Sequence, residues 1–273
     1  MFKQKETYVT SAENDAFANI MRLLAGLTDP LLGSLASLPA GAHVVQLGCG
    51  TGELSLALAR RRPDLRISAI DIDSAALDEG RAHAVQDDLT VDFREMSMAA
   101  LDFADDSVDA ILSRMGLFLP GTAPFDVSAR ETARVLRADG ILSIALWANL
   151  ADSPYTAIGI SVLRKILPEG ALPDMESSFA EAARPALLGS PLADAGFRDI
   201  VASGFDWETE YPSFESWWAF DAQFGPLKAL FDSLDENETI AARKLMADGM
   251  SAFLTESGSY RLPARARMIT ARR

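Results

Sequence analysis

The sequence predicts an α/β protein built on a doubly wound, mostly parallel sheet. From about residue 42 to 147, short apolar runs alternate with segments of helical periodicity, and the first run leads through a cluster of glycines into a helix. Such alternation is typical of parallel strands covered by helices on both faces. A sheet of this kind binds its ligand beyond the carboxyl ends of the strands, so the residues that follow each strand are the candidate site residues.

The elements of the first half are predicted from the spacing of their apolar residues. Strands show alternation or a short apolar run, whereas helices show i,i+4 spacing and a stop signal. In chain order these are a strand at Val44–Leu47, a helix through Leu54 and Leu58 that stops at Pro63, a strand at Leu65–Ala69, a helix capped by Ser74, a strand at Leu89–Phe93, a strand at Val108–Leu112, a helix from Ala129 that ends at Gly140, and a strand at Ile141–Trp147.

The second half is less regular, and no long polar linker divides it from the first. Its apolar spacing and its turn residues again mark helices and strands. The predicted elements are helices at Tyr155–Leu167, Ser190–Gly196, Phe214–Phe224 and Asn237–Leu254, a long strand at Val201–Tyr211 and a last strand at Arg267–Ala271.

Composition and charge exclude several classes of protein. The 273 residues include 49% apolar and 23% charged residues, which are ordinary values for a globular chain with a sizeable core. A net charge of −14 argues against nucleic acid as a partner. One cysteine excludes an intramolecular disulfide and a cysteine-based zinc site, and two histidines exclude a multi-histidine metal centre, so no metal is expected.

No targeting or membrane segment is predicted. Met1–Asp15 mixes charges and lacks an apolar stretch, and the longest uncharged segment, Pro30–Gly52, is interrupted by prolines and glycines. We therefore expect a cytoplasmic protein without a membrane partner. A group of arginines near the end of the chain is interpreted as part of a solvated strand, with a phosphate-binding tail as the alternative. They are Arg261, Arg265, Arg267, Arg272 and Arg273.

The most informative segment joins the first strand to the first helix. Gly48, Gly50 and Gly52 alternate there, and glycine allows both a tight turn and the close approach of a ligand to the backbone. The helix that follows offers free N–H groups. Asp71 comes nineteen positions after Gly52, at the end of the second strand, where a carboxylate can accept both hydroxyls of a ribose. Together these features predict a ligand that contains a ribonucleoside, and the alternative is a tight turn beside a solvated aspartate.

With Gly-x-Gly-x-Gly in place of the dinucleotide spacing, the chain resembles the class I S-adenosylmethionine-dependent methyltransferases, in particular the small-molecule group around the ubiquinone and menaquinone biosynthesis methyltransferases. Residues 101–113, Arg134–Gly140 and Ala195–Phe197 resemble further motifs of that family. The likeness is specific over about residues 40–147 and weaker over 187–273. It implies a Rossmann-like, seven-stranded, mostly parallel sheet with one antiparallel strand and a helical cap.

The resemblance also implies a domain organisation and a cofactor site. Residues 1–273 would form a single methyltransferase-like domain, with an N-terminal helical cap at 1–36, a cofactor-binding core at 40–150, and cap helices with the last sheet strands at 151–273. The cofactor would be S-adenosylmethionine, with S-adenosylhomocysteine as product. The glycines would hold its methionine end, Asp71 its ribose, and Ile72 its adenine ring. The full set of cofactor-binding residues is Gln46, Gly48, Cys49, Gly50, Gly52, Asp71, Ile72, Ser97, Met98 and Ser113.

Two positions depart from the family's pattern. The family usually has an acid where this chain has Gln46, near the methionyl amino group, and another where it has Ser97, near the adenine amine. A neutral acceptor bonds a cation less strongly than a carboxylate does. The cost is about 1 kcal/mol per site, so the cofactor would bind more weakly without being lost.

Catalytic residues are not identified by the sequence. His43 precedes the first strand, His83 lies in the helix after Asp71, and Cys49 lies inside the glycine loop, so all three are interpreted as structural. Arg114 follows the fourth strand and is expected to pair either with a substrate carboxylate or with an acid near the cofactor. The remaining candidate bases, each of which is also a plausible surface residue, are Asp152, Tyr155, Asp206 and Glu208.

A dense aromatic group is interpreted as the core of the cap, a wall of the acceptor pocket, or both. Its members are Phe205, Trp207, Tyr211, Phe214, Trp217, Trp218, Phe220 and Phe224. We therefore expect a methyltransferase, monomeric or homodimeric, that acts on a small, hydrophobic acceptor, with O-methylation favoured. The alternatives are a methyltransferase-like fold that catalyses a cyclisation or rearrangement with the cofactor as a structural element, and a non-catalytic module whose cleft is blocked.

Overall fold

The computed structural model describes residues 23–117, 124–148, 154–172, 191–223 and 227–273. Seven strands form one sheet in the order β3-β2-β1-β4-β5-β7-β6. The strands are β1 (His43–Leu47), β2 (Arg66–Asp71), β3 (Asp92–Glu95), β4 (Val108–Arg114), β5 (Leu136–Trp147), β6 (Arg198–Tyr211) and β7 (Tyr260–Arg272).

The pairing of the strands confirms the predicted sheet. The pairs β1–β2, β1–β4, β2–β3 and β4–β5 are parallel, and β7 runs antiparallel to β5. The chain first adds β2 and β3 on one side of β1 and then adds β4 and β5 on the other, so the strand order reverses between β1 and β4. Ligands of open α/β sheets bind outside the carboxyl ends of the strands at such a reversal.

Helices connect the parallel strands and continue through the second half. They are α1 (Thr28–Gly33), α2 (Glu53–Arg61), α3 (Ser74–Gln86), α4 (Phe125–Val135), α5 (Pro154–Ile166), α6 (Phe214–Gln223), α7 (Lys228–Phe231) and α8 (Glu236–Met250). Short 3₁₀ turns at Ala25–Leu27 and Ser251–Phe253 flank α1 and α8. None of the helices in the described part of the chain is long and apolar enough to cross a bilayer.

The core has two layers because neighbouring residues of a strand point to opposite faces of the sheet. Ile70 of β2 belongs to a large cluster with Val45 and Leu47 of β1. Its neighbour Ala69 belongs to a smaller cluster with Phe93 of β3, which includes residues of α2 and α3. Burying β1 on both faces fixes the position of the glycines that follow it.

Several predicted boundaries are wrong in detail. Strand β3 begins at Asp92 and not at Leu89, β7 begins at Tyr260 and not at Arg267, and α8 ends at Met250 and not at Leu254. The cap of α3 is Asp73, whose carboxylate accepts from the N–H groups of Ala75 and Ala76 at 3.0 and 3.2 Å, so Ser74 is the first helical residue and not the cap. Helix α4 ends at Val135 and not at Gly140. Leu136 already pairs with Val108 of β4, and the register then shifts before Ala110 pairs with Ile141.

By the density of its contacts the chain divides into two compact units. One consists of Met1–Gly26, Leu150–Met175 and Trp207–Ala264, and the other of Leu27–Asn149, Glu176–Asp206 and Arg265–Arg273. The glycine segment and the strands β1 to β5 belong to the second unit. The division of the chain into a core and a cap remains a prediction.

Candidate active site

The glycine loop after β1 has a backbone that only glycine adopts readily. Gly48, Gly50 and Gly52 all have positive φ angles, of 62°, 53° and 75°. A Cβ on Gly48 would lie 2.8 Å from Cα of Gly116, and one on Gly52 would lie 2.4 Å from the ring of Phe93. These two glycines are therefore needed by the packing of the loop against its own protein.

Gly50 differs because its surroundings are open. Apart from Gly50 and its two neighbours in the chain, no described residue has a heavy atom within 4 Å of the position that its Cβ would take. Gly52 then caps α2 without a side-chain hydrogen bond, so the first N–H groups of that helix receive no side-chain cap. The loop thus presents bare backbone and a helix N-terminus on one side, which is a cradle suited to a ligand that carries a negative group.

Asp71 ties this loop to the end of β2. Its Oδ2 accepts from the N–H of Gly50 at 2.7 Å, and its Oδ1 accepts from those of Ile72 and Asp73 at 2.8 and 3.1 Å. A carboxylate offers about four acceptor positions, so roughly one remains for a ligand. Asp71 therefore orders the loop as well as offering an acceptor beside it, a structural role that the sequence did not indicate.

Ile72, which was expected to pack on adenine, follows Asp71 directly in the chain. Ile72 is 74% exposed, which is unusual for so large an apolar side chain, and it stands at the carboxyl end of β2. Ser97 accepts from the N–H of Ala99 at 3.2 Å, and Met98 packs partly against the core. The assignment of these residues to the adenine remains a prediction.

Gln46 and Ser113 are bound to the protein itself. The side-chain carbonyl of Gln46 accepts from the hydroxyl of Ser55 at 2.6 Å. The hydroxyl of Ser113 donates to the carbonyl of Leu47 at 2.9 Å and accepts from the N–H of Leu117 at 2.8 Å. Both side chains are buried, so they brace the carboxyl ends of β1 and β4, and the hydroxyl of Ser113 is already occupied.

The thiol of Cys49 is unreactive. Burial, with a further contribution from the Asp71 carboxylate, raises the pKa of its thiol to about 12. The thiol therefore stays protonated at neutral pH and is no nucleophile, in agreement with its interpretation as a structural residue. Its N–H donates to the carbonyl of Ile70 at 3.0 Å, which holds the loop on β2.

Arg114 pairs with an acid of the glycine loop, the second of the two partners expected for it. The last residue of β4, it forms an ion pair with Glu53, the first residue of α2. Its guanidinium also donates to the hydroxyl of Thr28 in α1, at 3.1 Å. The Arg114 side chain is only 4% exposed, and that of Glu53 is 35% exposed.

The packing of Phe93 against the glycine loop was not predicted from the sequence. The ring of Phe93 lies where side chains on Gly52 and Gly80 would be, since a Cβ on Gly80 would lie 2.6 Å from that ring and 2.7 Å from the carbonyl oxygen of Thr51. Gly80 lies in the middle of α3, where glycine is unfavourable. A lone glycine in a helical pattern is the signal that could have indicated this close packing.

His43 lies at the opposite edge of the sheet. It begins β1, and its Nε2 lies 2.9 Å from the hydroxyl of Ser68. Burial, followed by the nearby charge of Arg66, lowers the pKa of its imidazole, although Asp109 opposes this. It borders a cavity of about 290 Å³ beside β2 and β3, away from the glycine loop. The structural interpretation of this histidine therefore agrees with its position.

The candidate bases of the second half are only partly described. Asp152 lies outside the described residues, and of Tyr155 only the backbone, in α5, is described. Asp206 pairs with Arg265 at 3.1 Å, and Glu208 lies 4.0 Å from Arg261. All four side chains of these pairs are well exposed, which favours a surface role.

The arginines near the end of the chain lie along β7 and at its end, so they do not form a free tail. Arg272 donates to the carbonyl of Asp139 at 2.9 Å, and Arg273 pairs with Asp106 at 2.5 Å. These contacts support the interpretation as a solvated strand.

Much of the aromatic group is packed inside its own unit. Trp217 and Tyr211 are fully buried. The rings of Phe214 and Trp218 stack at 6.3 Å, and the guanidinium of Arg243 lies 4.9 Å from the centre of the Trp218 ring. These residues form a core, as one interpretation expected. Phe224 lies outside the described residues, as does the side chain of Phe220.

No group of histidine, cysteine and acidic side chains within the described ranges has the arrangement of a metal site. The candidate site thus consists of the glycine loop, the start of α2 and the carboxylate of Asp71.

Comparison with known proteins agrees with this geometry. Residues 44–140 match the family described as methyltransferase domain. An uncharacterized protein of Mycobacterium bovis is 30% identical over 43% of this chain and 42% of its own length. The 2-methyl-6-phytyl-1,4-hydroquinone methyltransferase of Synechocystis is 32% identical over 55% and 47%, and the ubiquinone biosynthesis O-methyltransferase of Stutzerimonas stutzeri is 26% identical over 59% and 68%. The chain thus spans about half the length of most of these curated relatives.

Solved structures share the fold over nearly the whole chain. The YcgJ protein of Bacillus subtilis has a TM-score of 0.58 at 16% identity and covers 90% of this chain and 98% of its own. The [4+2]-cyclase SpnF has a TM-score of 0.55 at 20% identity, over 90% and 80%. At these identities the likeness concerns the fold alone.

Proposed function

We propose that this chain, whose residues 44–140 match the family described as methyltransferase domain, transfers a methyl group from S-adenosylmethionine to a small, hydrophobic metabolite in the cytoplasm. The observation that carries the proposal is the open cradle at Gly50, tied by its N–H to the carboxylate of Asp71. A side chain at Gly50 would fill this space, next to the N–H group that donates to Asp71.

The residues present fit S-adenosylmethionine. The remaining acceptor position of Asp71 suits a ribose hydroxyl, and the exposed side chain of Ile72 next to it suits one face of an adenine ring. The amide groups at the start of α2 suit the carboxylate of the methionyl part.

The chemistry places modest demands on the protein. The bound sulfonium supplies a methyl group that is already activated, so the chain has to align an acceptor with it and to exclude water. A base helps where the acceptor is a hydroxyl. Asp152 and Tyr155 remain proposed as bases because they follow β5, whose carboxyl end borders the same edge of the sheet.

The names of the relatives favour a quinol-like acceptor. One is a ubiquinone biosynthesis O-methyltransferase and another acts on a phytyl hydroquinone, so both names describe ring compounds with hydroxyl groups. We propose O-methylation of such a small, apolar molecule by a monomer or homodimer.

Isothermal titration with S-adenosylhomocysteine tests the cofactor. We expect measurable heat for the natural chain and a loss of at least tenfold in affinity for Asp71→Ala, because both the ribose acceptor and the anchor of Gly50 are removed. Glu79→Ala, at an exposed position of α3, is the matched control and should bind as the natural chain does. Absence of heat at millimolar ligand would refute the proposal.

Mass spectrometry of incubations with a panel of quinols then tests the reaction. A product that is heavier by one methylene unit supports methyl transfer. A rearranged product of unchanged mass, formed only when S-adenosylmethionine is present, would instead favour the cyclisation alternative.

A further inference from the structure

The ion pair between Glu53 and Arg114 lies where the strand order reverses. Glu53 opens α2 directly after the glycine loop of β1, and Arg114 is the last residue of the neighbouring strand β4. The two side chains therefore bridge the carboxyl ends of β1 and β4, which is the place where open α/β sheets bind their ligands. Neither residue belongs to the motifs that indicated the cofactor.

The two partners are unequally buried, and only the side chain of Glu53 is substantially exposed. The guanidinium of Arg114 is almost fully enclosed and is held by Glu53 and by the hydroxyl of Thr28. The Glu53 carboxylate is about one-third exposed, and Oε2 is the oxygen that Arg114 contacts. Within the described part of the chain no hydrogen bond reaches its other oxygen, Oε1. The pair therefore fixes a carboxylate that keeps one oxygen available at the crevice.

A cationic group in this crevice would find its counter-charge at Glu53. Gln46 of β1 is neutral, and its side-chain carbonyl already accepts a hydrogen bond from Ser55. Asp71, the other acid beside the loop, lies at the end of β2 and already accepts from three N–H groups. A charge-assisted hydrogen bond to a carboxylate is about twice as strong as a neutral one. Glu53 is therefore the acceptor on the β1–β4 side of the loop.

We infer that the Glu53 carboxylate binds the α-ammonium group of the amino-acid part of S-adenosylmethionine, and that Arg114 is a positioning residue that holds Glu53 in place. This inference rests on the proposed function. It assigns the two charges of the methionyl group separately: the carboxylate faces the N–H groups at the start of α2, and the ammonium faces Glu53. A positive group close to Glu53 also leaves the buried guanidinium paired, because Oε2 stays with Arg114.

Two ligands that differ only in the amino-acid part test the inference. S-adenosylhomocysteine carries the ammonium group, whereas 5′-methylthioadenosine has the same nucleoside and sulfur without it. We expect Glu53→Gln to weaken S-adenosylhomocysteine by about tenfold or more in isothermal titration, and to leave 5′-methylthioadenosine unchanged within about twofold. Glu79→Gln, an exposed acid of α3, is the matched control and should change neither affinity.

The role of Arg114 is tested in a double-mutant cycle. Arg114→Lys keeps the charge but loses the planar fork, so it should weaken S-adenosylhomocysteine in the natural background. In the Glu53→Gln background the same change should have no further effect on affinity, since Arg114 acts through Glu53. An effect of equal size in both backgrounds would overturn the positioning role.

The outcomes separate the inference from the proposed function. If the natural chain binds neither ligand, the proposed function fails and the inference with it. If it binds both and Glu53→Gln weakens both equally, or weakens neither, the proposed function stands and the assignment of Glu53 is wrong. Circular dichroism and thermal unfolding of each variant identify a general loss of structure, which would appear as equal weakening.

Discussion

Single residues around the glycine loop show how one motif serves packing and binding at once. Gly48 and Gly52 are glycines because Gly116 and the ring of Phe93 occupy the space that side chains would need. Gly50 is a glycine although nothing in the described structure occupies that space. In the sequence these three glycines are indistinguishable. The structure shows that Gly48 and Gly52 are needed for packing, whereas Gly50 leaves room for a ligand.

This difference predicts that alanine at Gly50 and alanine at Gly52 have effects of different size on stability. Gly50→Ala should cost about 1–2 kcal/mol of the free energy of unfolding, from its positive φ alone, and should reduce the affinity for S-adenosylhomocysteine at least tenfold. Gly52→Ala should cost about 3 kcal/mol or more, because its Cβ would lie 2.4 Å from Phe93. Urea unfolding and isothermal titration measure the two quantities.

Gly41→Ala is the control for backbone strain. Gly41 also has a positive φ, of 79°, and an open position for its Cβ, but it precedes β1 at the opposite edge of the sheet. The Gly41→Ala variant should lose as much stability as Gly50→Ala and should keep its affinity for S-adenosylhomocysteine. If Gly41→Ala and Gly50→Ala reduced affinity alike, the cradle would not be the binding site.

Single residues also mark the limit of what the sequence could predict about the site. The positions of Gly50, Asp71 and Ile72 followed from the order of strand, loop and strand. An acid near the cofactor was one of two partners expected for Arg114, but its identity as Glu53 did not follow, because the two residues are 61 positions apart and their meeting depends on the register of β1 and β4. Contacts set by local geometry were readable, whereas contacts set by strand pairing were not.

At the scale of elements, type and order were predictable and boundaries were less so. Strands β1, β4 and β5 were predicted from apolar runs, since strands buried on both faces have few polar residues. Strands β2 and β3 were predicted from alternation, and β3 begins three residues later than predicted. The end of α4 was misplaced because Leu136, which fits the helical spacing, pairs with Val108 as the first residue of β5. Strand pairing with a distant residue thus overrode a local helical pattern.

The start of α3 gives a direct test at this scale. Asp73→Ala should lower the free energy of unfolding by about 1 kcal/mol, because it removes the acceptor for the N–H groups of Ala75 and Ala76. Ser74→Ala should change it by less than about 0.5 kcal/mol, because Ser74 lies inside the first turn. Urea unfolding of both variants decides between the predicted cap and the observed one, and the reverse order of the two effects would contradict the structure.

At the scale of the whole molecule, the two compact units are not consecutive segments of chain. Each is assembled from three stretches, and the unit boundaries fall within β6 and β7. The sequence indicated the absence of a linker, which agrees with this interleaving, but it could not indicate where the boundary falls. That position depends on contacts between residues far apart in the chain.

This interleaving predicts how the chain unfolds in the presence of a ligand. Because β6 and β7 each contribute residues to both units, we expect one calorimetric transition instead of two. S-adenosylhomocysteine at a hundred times its dissociation constant should stabilise the folded state by about 2.7 kcal/mol. For a chain of this size that corresponds to a rise of about 5 °C in the midpoint. Differential scanning calorimetry measures both features, and Asp71→Ala should show the single transition without the rise. Two transitions, of which the ligand moves only one, would mean that the unit with the glycine loop unfolds on its own.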